Sequence, residues 1–405
     1  MSESTIIVAG AGQAGGWAAR TLRKEGFGGR IVLVGDESHP PYERPPLSKA
    51  VLTGEKPTES THLFGANDLA DLALDWRSNV RITALQPEAK RVTLDGGETL
   101  RYDALIFCTG GRARELSVPG ADLPGIYRLR TLDDALALRP LLQPGASLVV
   151  IGGGWIGLEV AATCRKMGGH ATVVESARRL CERTVPPDVS AYLAELHASH
   201  GVPVLLGAEV TGFTRQADGK LAVTLRDGRE LVCDAVVTGV GLIPNDDVAR
   251  AAGIACDGGI IVDEQCRTSD PFIFAAGDVA AAHNAWAGRR LRLESWQNAQ
   301  DQGICAAKAA LGQAVQYQPL PWFWSDQHGV NLQIYGFPSA AHTVVERRQS
   351  EGGSFIRFYL EGDCVKAAIG VDAARDLRFA RRLIESRREV SAERLIDANE
   401  PLSRL

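Results

Sequence analysis

The stretch "LVVIGGGWIGLEVA" at Leu148–Ala161 decides the fold class of this chain. It is an apolar strand, then a cluster of glycines, then the start of a helix. Gly152, Gly154 and Gly157 fill the pattern G-x-G-x-x-G. The first glycine allows a tight turn, the second lets the backbone approach a pyrophosphate, and the third lets helix and strand pack closely. The next strand, "GHATVVES", ends in Glu175, roughly 20 residues on, where an acid accepts hydrogen bonds from ribose hydroxyls.

A second copy of this pattern, "IIVAGAGQAGGWAA", occupies Ile6–Ala19. Its glycines are Gly10, Gly12 and Gly15, and the following strand "GRIVLVGDE" carries Asp36. One such motif is weak evidence, but strand, glycines, helix and acid in order make it strong. Because the complete set occurs twice, we reject ligand-free glycine turns and predict two bound dinucleotides.

Two further strands end in residues suited to ligand contact. "LRYDALIFC" leads into Thr109 and Gly110, and "FIFAAG" delivers Gly277 and Asp278. Open α/β sheets bind ligands beyond the carboxyl ends of their strands. Asp278 can accept hydrogen bonds from ligand hydroxyls or cap the helix that begins at "GDV", and the two roles can coexist.

The order of these segments predicts the architecture. A β-meander with Asp-Gly turns follows the second glycine loop, and after about Gly312 the chain alternates like strands before a basic helix. We expect an α/β fold with two Rossmann-like nucleotide-binding domains (glutathione-reductase-like) and a C-terminal α+β domain. The first domain is discontinuous, and the predicted boundaries are 1–115 with 241–315, then 116–240, then 316–405.

Composition limits the remaining possibilities. The net charge is −5, and no Lys/Arg run is long enough to predict nucleic-acid binding. No apolar run approaches the roughly 20 residues of a membrane span, and "MSEST" leads directly into the first strand. The 8 cysteines form no CxxC, CxxxxC or Cys/His cluster. We therefore expect a cytoplasmic protein with no membrane association and no metal site.

The motifs "GAGQAG", "PPYERPPLSKA", "RTLDDA", "IGGGWIGLEVAA", "GVGLIPN", "TSDPFIFAAGD", "ESWQNAQDQG" and "PWFWSDQ" run through nearly the whole chain. Together they resemble the FAD-containing, NADH-dependent ferredoxin reductases of bacterial oxygenase systems. Many flavoprotein disulfide reductases share the glycine loops, whereas "ERPPLSK" and "PWFWSDQ" are much more specific. The resemblance implies electron transfer from NADH through FAD to a [2Fe–2S] ferredoxin that feeds a Rieske dioxygenase or a cytochrome P450.

The resemblance also assigns the two loops: the first to FAD and the second to NADH. The residues implied to contact FAD are Gly12, Ala14, Asp36, Arg44, Lys49, Ile82, Arg130, Asp278 and Trp296. Those implied along the NADH site are Gly152, Gly154, Ile156, Glu159 and Glu175.

Three residues are predicted to be catalytic: Lys49, Glu159 and Trp324. Lys49, stiffened by "RPPLS", would place a cation beside the isoalloxazine, where the alternative is a solvent-facing lysine. Glu159 would hold the nicotinamide carboxamide, where the alternative is an ordinary first-turn acid. Trp322 and Trp324 alternate along a strand and face one side of it. One or both would border the flavin or nicotinamide, with Trp324 as the catalytic candidate, unless they pack the third domain. Trp296 would lie against the flavin or form core.

Partner choice depends on charge. Glu175 favours NADH because a carboxylate repels the 2′-phosphate of NADPH, although Arg178 and Arg179 lie close in sequence. A basic run is a candidate docking surface for an acidic ferredoxin, or simply a solvated helix face. That run comprises Arg375, Arg378, Arg381, Arg382, Arg387 and Arg388.

Other functions remain open. An NADH oxidase, peroxidase or disulfide reductase on this scaffold would need a redox cysteine near the flavin, and the segment around Lys49 has none. A reductase whose partner is a rubredoxin or a nitrite reductase is harder to exclude by sequence. A signalling flavoprotein would have to keep every cofactor motif without partner-dependent turnover.

Overall fold

The structure, a computed structural model, describes residues 4–348 and 353–405. Residues 1–3, which open the segment predicted to lack a leader, and 349–352, in the predicted third domain, lie outside the described residues. The chain separates into two compact units. Unit 1 comprises Met1–Pro45, Pro57–Arg112 and Leu242–Pro319, and unit 2 comprises Pro46–Lys56, Ala113–Gly241 and Leu320–Leu405.

The α-helices are, in chain order, α1 (Gln13–Lys24), α2 (Ala50–Thr53), α3 (Ala66–Asp71), α4 (Leu132–Leu138), α5 (Trp155–Lys166), α6 (Pro187–Ser199), α7 (Asp247–Ala251), α8 (Trp296–Ala310), α9 (Ala374–Ser386) and α10 (Ala392–Ile396).

The strands are β1 (Thr5–Ala9), β2 (Arg30–Val34), β3 (Asp75–Arg77), β4 (Ile82–Gln86), β5 (Arg91–Leu94), β6 (Thr99–Arg101), β7 (Ala104–Phe107), β8 (Gly111–Ala113), β9 (Ile126–Arg128), β10 (Ser147–Ile151), β11 (His170–Glu175), β12 (Val204–Leu206), β13 (Val210–Arg215), β14 (Leu221–Leu225), β15 (Glu230–Cys233), β16 (Ala235–Thr238), β17 (Leu242–Pro244), β18 (Ile260–Val262), β19 (Ile273–Ala275), β20 (Ala280–Asn284), β21 (Arg289–Leu291), β22 (Trp322–Gln327), β23 (Val330–Gly336), β24 (Thr343–Arg348), β25 (Phe355–Glu361) and β26 (Cys364–Val371).

Unit 1 is built on a parallel sheet in the order β19-β7-β1-β2-β3. Its inner strands β7, β1 and β2 are largely buried apolar runs because both faces of the sheet are covered there. Leu22 and Ala306, from α1 and α8, pack on one face with Ile31. Val92 and Leu105 belong to the core on the other face, with the antiparallel strands β4–β6. The chain leaves β1 toward β2 and later returns to its other side as β7. This reversal point is where such sheets bind ligands.

Unit 2 contains a second parallel sheet, in the order β12-β11-β10-β16-β9, with the antiparallel meander β13–β15 beside it. Its remaining sheet is antiparallel, in the order β22-β23-β26-β25-β24. One apolar cluster joins residues of both five-stranded sheets, including Val173, Leu332 and Ile369, with Leu158 of α5.

These sheets confirm the predicted fold class: an α/β protein with parallel nucleotide-binding sheets and a C-terminal antiparallel sheet domain. The division into three domains stays a prediction. Across 4–348 and 353–405, no helix has the length and apolarity that a membrane crossing requires.

Candidate functional site

The first glycine loop joins β1 to α1 in unit 1. Gly10 has φ +113°, and a Cβ there would lie 2.2 Å from the Cys108 carbonyl oxygen. A Cβ at Gly15 would lie 1.8 Å from the Gly10 carbonyl oxygen. Glycine is therefore required at both positions, by a turn at the first and by close packing of the helix on the loop at the second.

The start of α1 fits a bound pyrophosphate. Gly12 is its N-cap, no side chain caps the helix, and its first turn carries no acid, so its amide dipoles are directed at any anion there. Gln13 is buried, and within 4–348 and 353–405 neither polar atom of its side-chain amide has a hydrogen-bond partner. Among the residues that the structure describes, a Cβ at Gly12 would meet only Arg44, whose Nη2 would lie 3.9 Å away. An orphaned amide, open backbone donors and a nearby guanidinium suit the phosphates of a dinucleotide.

The carboxyl ends of β7 and β19 lie at the same edge as this loop. Thr109 donates from Oγ1 to the Asn245 carbonyl (2.8 Å), and Asn245 Nδ2 donates back to the Thr109 carbonyl (2.9 Å). Gly110 and Gly277 both have positive φ. The Gly277 amide donates to Gln302 (2.8 Å), which fixes the turn that carries Asp278.

The other unit 1 residues predicted for FAD border this edge. Asp36 follows β2, and its side chain is half-exposed. Its carboxylate accepts a hydrogen bond from Arg81 Nε (3.1 Å). Arg81 immediately precedes Ile82, the first residue of β4. Arg44 pairs with Glu37 (2.7 Å). Trp296 opens α8 and donates from Nε1 to Glu43 (3.1 Å).

Helix α8 also reaches the loop. A Cβ at Gly303 would lie 2.4 Å from the Ala14 carbonyl oxygen, so α8 and α1 are in close contact behind the glycine loop. The structure thus brings the unit 1 candidates together at one sheet edge.

The second glycine loop, in unit 2, repeats the geometry between β10 and α5. Gly152 has φ +107°, and a Cβ at Gly157 would lie 2.1 Å from the Gly152 carbonyl oxygen. Helix α5 begins after Gly154 without a side-chain cap or first-turn acid, and a Cβ at Gly154 would meet nothing within 4 Å. Ile156 is exposed beside it.

The two loops differ at the end of their second strand. Ala9 pairs with Val34 and Ile151 with Val174, so the position after the paired residue is Gly35 in unit 1 and Glu175 in unit 2. Glu175 accepts from the amides of Gly153 (2.6 Å) and Ala177 (2.7 Å). Relative to the paired residue of its own sheet, Asp36 therefore stands one position later than Glu175 does. The carboxylates near the two glycine loops are thus differently placed.

Lys49 and Glu159 form an ion pair in unit 2 in which the carboxylate is buried and the lysine partly buried. The Lys49 Nζ lies 2.6 Å from Glu159 Oε2, and Glu159 is 3 % exposed. Ser48 also donates to Oε2 (2.5 Å), and Ser325 donates to Oε1 (2.6 Å). Thr163, one turn further along α5, donates to the Ser48 carbonyl (2.7 Å) and fixes the "PLSK" segment against the helix.

The remaining two candidates also belong to unit 2. The Arg130 amide donates to Asp134 (2.9 Å) just before the capping box that starts α4. Trp324 stacks on Trp322 with ring centroids 4.9 Å apart. Phe323 and Ser325 contact α5 from the opposite face of β22, so the structure does not bring Trp324 to Glu159.

Sequence reasoning missed several polar residues of the site. The signal for Ser325 and Gln327 was their alternation with Trp324 along β22, which places them on the opposite face of the strand. No local pattern in the sequence pointed to His197, to Asn245 or to the Gln13 amide.

Cysteine chemistry is the other feature that spacing did not indicate. All eight cysteines are free thiols. Cys266 and Cys305 are in contact although 39 positions separate them in the sequence, and burial raises the pKa of Cys266. Among the described residues, no group of three or more His, Cys, Asp or Glu is placed to hold a metal ion.

Comparisons with known proteins cover nearly the whole chain. Residues 4–303 match the model of the family described as pyridine nucleotide-disulphide oxidoreductase, and 322–405 match the reductase C-terminal model. The chain is 40% identical to rhodocoxin reductase of Rhodococcus erythropolis over 98% of this chain and 92% of that protein. It is also 40% identical to the biphenyl dioxygenase system ferredoxin–NAD(+) reductase component of Paraburkholderia xenovorans, over 98% and 97%. Among solved structures, a covalent putidaredoxin reductase–putidaredoxin complex matches with TM-score 0.94 and 38% identity, over 99% of this chain and 97% of that one.

Proposed function

The chain belongs to the pyridine nucleotide-disulphide oxidoreductase family, and we propose that it is an FAD-containing reductase that passes electrons from NADH to a [2Fe–2S] ferredoxin. That ferredoxin would feed a Rieske dioxygenase or a cytochrome P450. The observation that carries the proposal is similarity over nearly the full chain to a ferredoxin–NAD(+) reductase component at 40% identity. The solved covalent complex of putidaredoxin reductase with putidaredoxin supports the choice of a ferredoxin as partner.

When bound, NADH and FAD would supply hydride transfer and single-electron transfer. The part of the protein is to bind the two cofactors, align them and tune their electrostatic surroundings. We assign FAD to the loop of Gly10, Gly12 and Gly15, where the α1 amides, the Gln13 amide and Arg44 hold the pyrophosphate. Asp36 and Asp278 accept from its hydroxyl groups.

NADH is assigned to the loop of Gly152, Gly154 and Gly157. The start of α5 holds its pyrophosphate, and Glu175, already fixed by the Gly153 and Ala177 amides, accepts from the adenosine ribose. Glu159 serves the nicotinamide carboxamide and Lys49 the flavin ring. The 2.6 Å ion pair between them holds both side chains in one geometry.

Ferredoxin docking is assigned to the basic end of unit 2. Helix α9 buries Leu377, Ala380, Leu383 and Ile384, and its arginines are exposed on the other side. An exposed cationic face steers an acidic partner into contact and raises the association rate.

The test is NADH-driven cytochrome c reduction by the purified full-length protein, with and without an added [2Fe–2S] ferredoxin. We expect FAD in the purified protein and turnover that depends strongly on ferredoxin. Rapid NADH consumption by oxygen that ignores ferredoxin would overturn the proposal in favour of an NADH oxidase. Preference for rubredoxin over every ferredoxin tested would indicate a rubredoxin reductase.

A further inference from the structure

A buried chain of hydrogen bonds runs through unit 2 from Glu159 to the surface. Ser325 donates to Glu159 Oε1 (2.6 Å), and Gln327 Nε2 donates to Ser325 Oγ (2.9 Å). His197 Nε2 lies 2.8 Å from Gln327 Oε1. His328 Nε2 lies 3.2 Å from His197 Nδ1. Ser325, Gln327 and His197 are each at most 3 % exposed.

The chemistry of the groups fixes the direction of every bond. An ionised carboxylate only accepts, so the Ser325 hydroxyl donates to it and must itself accept from the Gln327 amide nitrogen. The Gln327 oxygen only accepts, so His197 carries its proton on Nε2. His197 Nδ1 is then an acceptor for His328. Every donor therefore points toward Glu159, and the four bonds polarise one another in the same sense.

The neutral state of the histidines supports this direction. Burial lowers the pKa of His197, so the ring stays neutral and keeps Nδ1 as an acceptor. Burial lowers the pKa of His328 to about 3, and the nearby Arg165 cation acts in the same direction. The exposed His200 ring stacks on His328 at 4.1 Å and ends the chain at solvent.

We propose that Ser325, Gln327 and His197 are positioning residues that hold Glu159 by its Oε1 atom, so that its Oε2 atom faces Lys49. A carboxylate held from one side only could rotate about its last torsion, since Ser48 and Lys49 both contact Oε2. The hydrogen-bond chain supplies the opposing contact, to Oε1, through Ser325 of β22, and His197 of α6 stands behind it. Its effect on hydride transfer rests on the proposed function, in which Glu159 and Lys49 serve the nicotinamide and the flavin.

The test compares variants in the full-length, FAD-containing protein by stopped-flow reduction with NADH. Ser325→Ala removes the contact to Oε1, and His197→Leu removes the donor to Gln327. His197→Gln keeps an amide donor near the Nε2 position. Asp326→Asn is the matched control, because Asp326 is exposed on the other face of β22 and its oxygen still accepts from Asn331.

We expect Ser325→Ala and His197→Leu to slow flavin reduction at saturating NADH by about tenfold to a hundredfold, because a small misplacement of an aligning group has costs of this size. The NADH dissociation constant should change by less than about threefold. His197→Gln should recover most of the rate, and Asp326→Asn should match the wild type. The proposal is overturned if His197→Leu behaves like Asp326→Asn, or if His197→Gln fails as completely as His197→Leu.

A second measurement does not depend on turnover. Ring nitrogen shifts of ¹⁵N-histidine-labelled protein, purified without NADH, should place the His197 proton on Nε2, and Ser325→Ala should move that resonance. A proton on Nδ1 would contradict the chain directly, and Ser325→Ala keeps the test available if His197→Leu does not fold. If the wild type fails to accept electrons from NADH, the proposed function falls while this arm still decides the positioning chain.

Discussion

Glu175 is the residue on which the choice between NADH and NADPH depends. Its carboxylate is fixed by two backbone amides at the end of β11. Arg179, close by in sequence, donates to the Val185 carbonyl and to Ser190, so it is tied to its own segment, whereas Arg178 is exposed. Of the two arginines that complicated the prediction, Arg178 is therefore the more exposed, whereas the Arg179 guanidinium is held by its own segment.

Glu175→Ala should lower the ratio of kcat/KM for NADH over NADPH by about tenfold, because a like charge against a 2′-phosphate is removed. Steady-state flavin reduction with both nucleotides measures this ratio. An unchanged ratio would remove Glu175 from the discrimination, and Arg178→Ala, made in parallel, would show whether that guanidinium compensates.

The Lys49–Glu159 pair makes a residue-scale prediction about stability. Lys49→Met takes the ammonium away from a carboxylate that stays buried, and breaking a buried pair in this way costs about 3 kcal/mol. The double variant Lys49→Met/Glu159→Gln removes the charge as well and should lose less. Denaturant unfolding at neutral pH measures both, and equal losses would mean that the pair contributes packing rather than charge compensation.

At the scale of elements, two glycines of the second loop allow the requirement for folding to be tested separately from the requirement for nucleotide binding. Gly157→Ala would force a Cβ to within 2.1 Å of the Gly152 carbonyl oxygen and should destabilise unit 2. Gly154→Ala meets nothing within 4 Å, so the protein should keep its stability. If a pyrophosphate approaches that backbone, the same change should weaken NADH binding by about tenfold. Thermal unfolding measures the effect on stability, and NADH titration measures the effect on binding. Normal NADH binding by Gly154→Ala would argue against a nucleotide at this loop.

The turn between β22 and β23 predicts a pH dependence of stability. His328 has φ +53° and Gly329 φ +81°, and the pKa of His328 is lowered from 6.5 to about 3. A lowered pKa means that the folded state binds fewer protons than the unfolded chain. Its contribution to stability is thus complete above pH 6.5 and is lost as the pH falls toward 3.

His328→Asn should therefore reduce the drop in Tm between pH 7 and pH 4, because asparagine tolerates positive φ and does not titrate. Differential scanning calorimetry at both pH values measures the drop. His283→Asn, at an exposed histidine of unit 1, should retain the wild-type drop. A His328→Asn protein that loses as much Tm as the wild type would mean that other groups control acid unfolding.

At the scale of the whole molecule, the prediction concerns the partner. The exposed arginines of α9 belong to a chain with a net charge of −5, so the cationic face is local. Reversing Arg378 and Arg382 to Glu should lower kcat/KM for ferredoxin by about tenfold and flatten its salt dependence, with NADH reduction of the flavin unchanged. Unaltered ferredoxin kinetics would mean that docking lies elsewhere and that α9 is a solvated face.

The sequence alone determined the two parallel sheets, the glycine loops and the family resemblance, which the full-length relatives confirm. These features are local: a turn that only glycine can make is followed by a helix start within the same few residues, so neighbouring letters specify it. The strands of the C-terminal α+β domain were likewise predicted from alternation along single strands, whereas their antiparallel order is known from the structure alone.

Only the tertiary structure decided what faces Glu159. Ser48, Ser325, Gln327 and His197 come from three distant segments: the segment before α2, strand β22 and helix α6. No spacing rule links these segments, because packing of β22 against α5 and the apolar cluster shared by α5 and α6 bring them together. The same holds for the contact of Cys266 with Cys305. It also holds for Trp324, since the side of β22 that meets α5 depends on which face of the strand is buried. Burial is a property of the assembled core, so it fixes these partners only once the chain has folded.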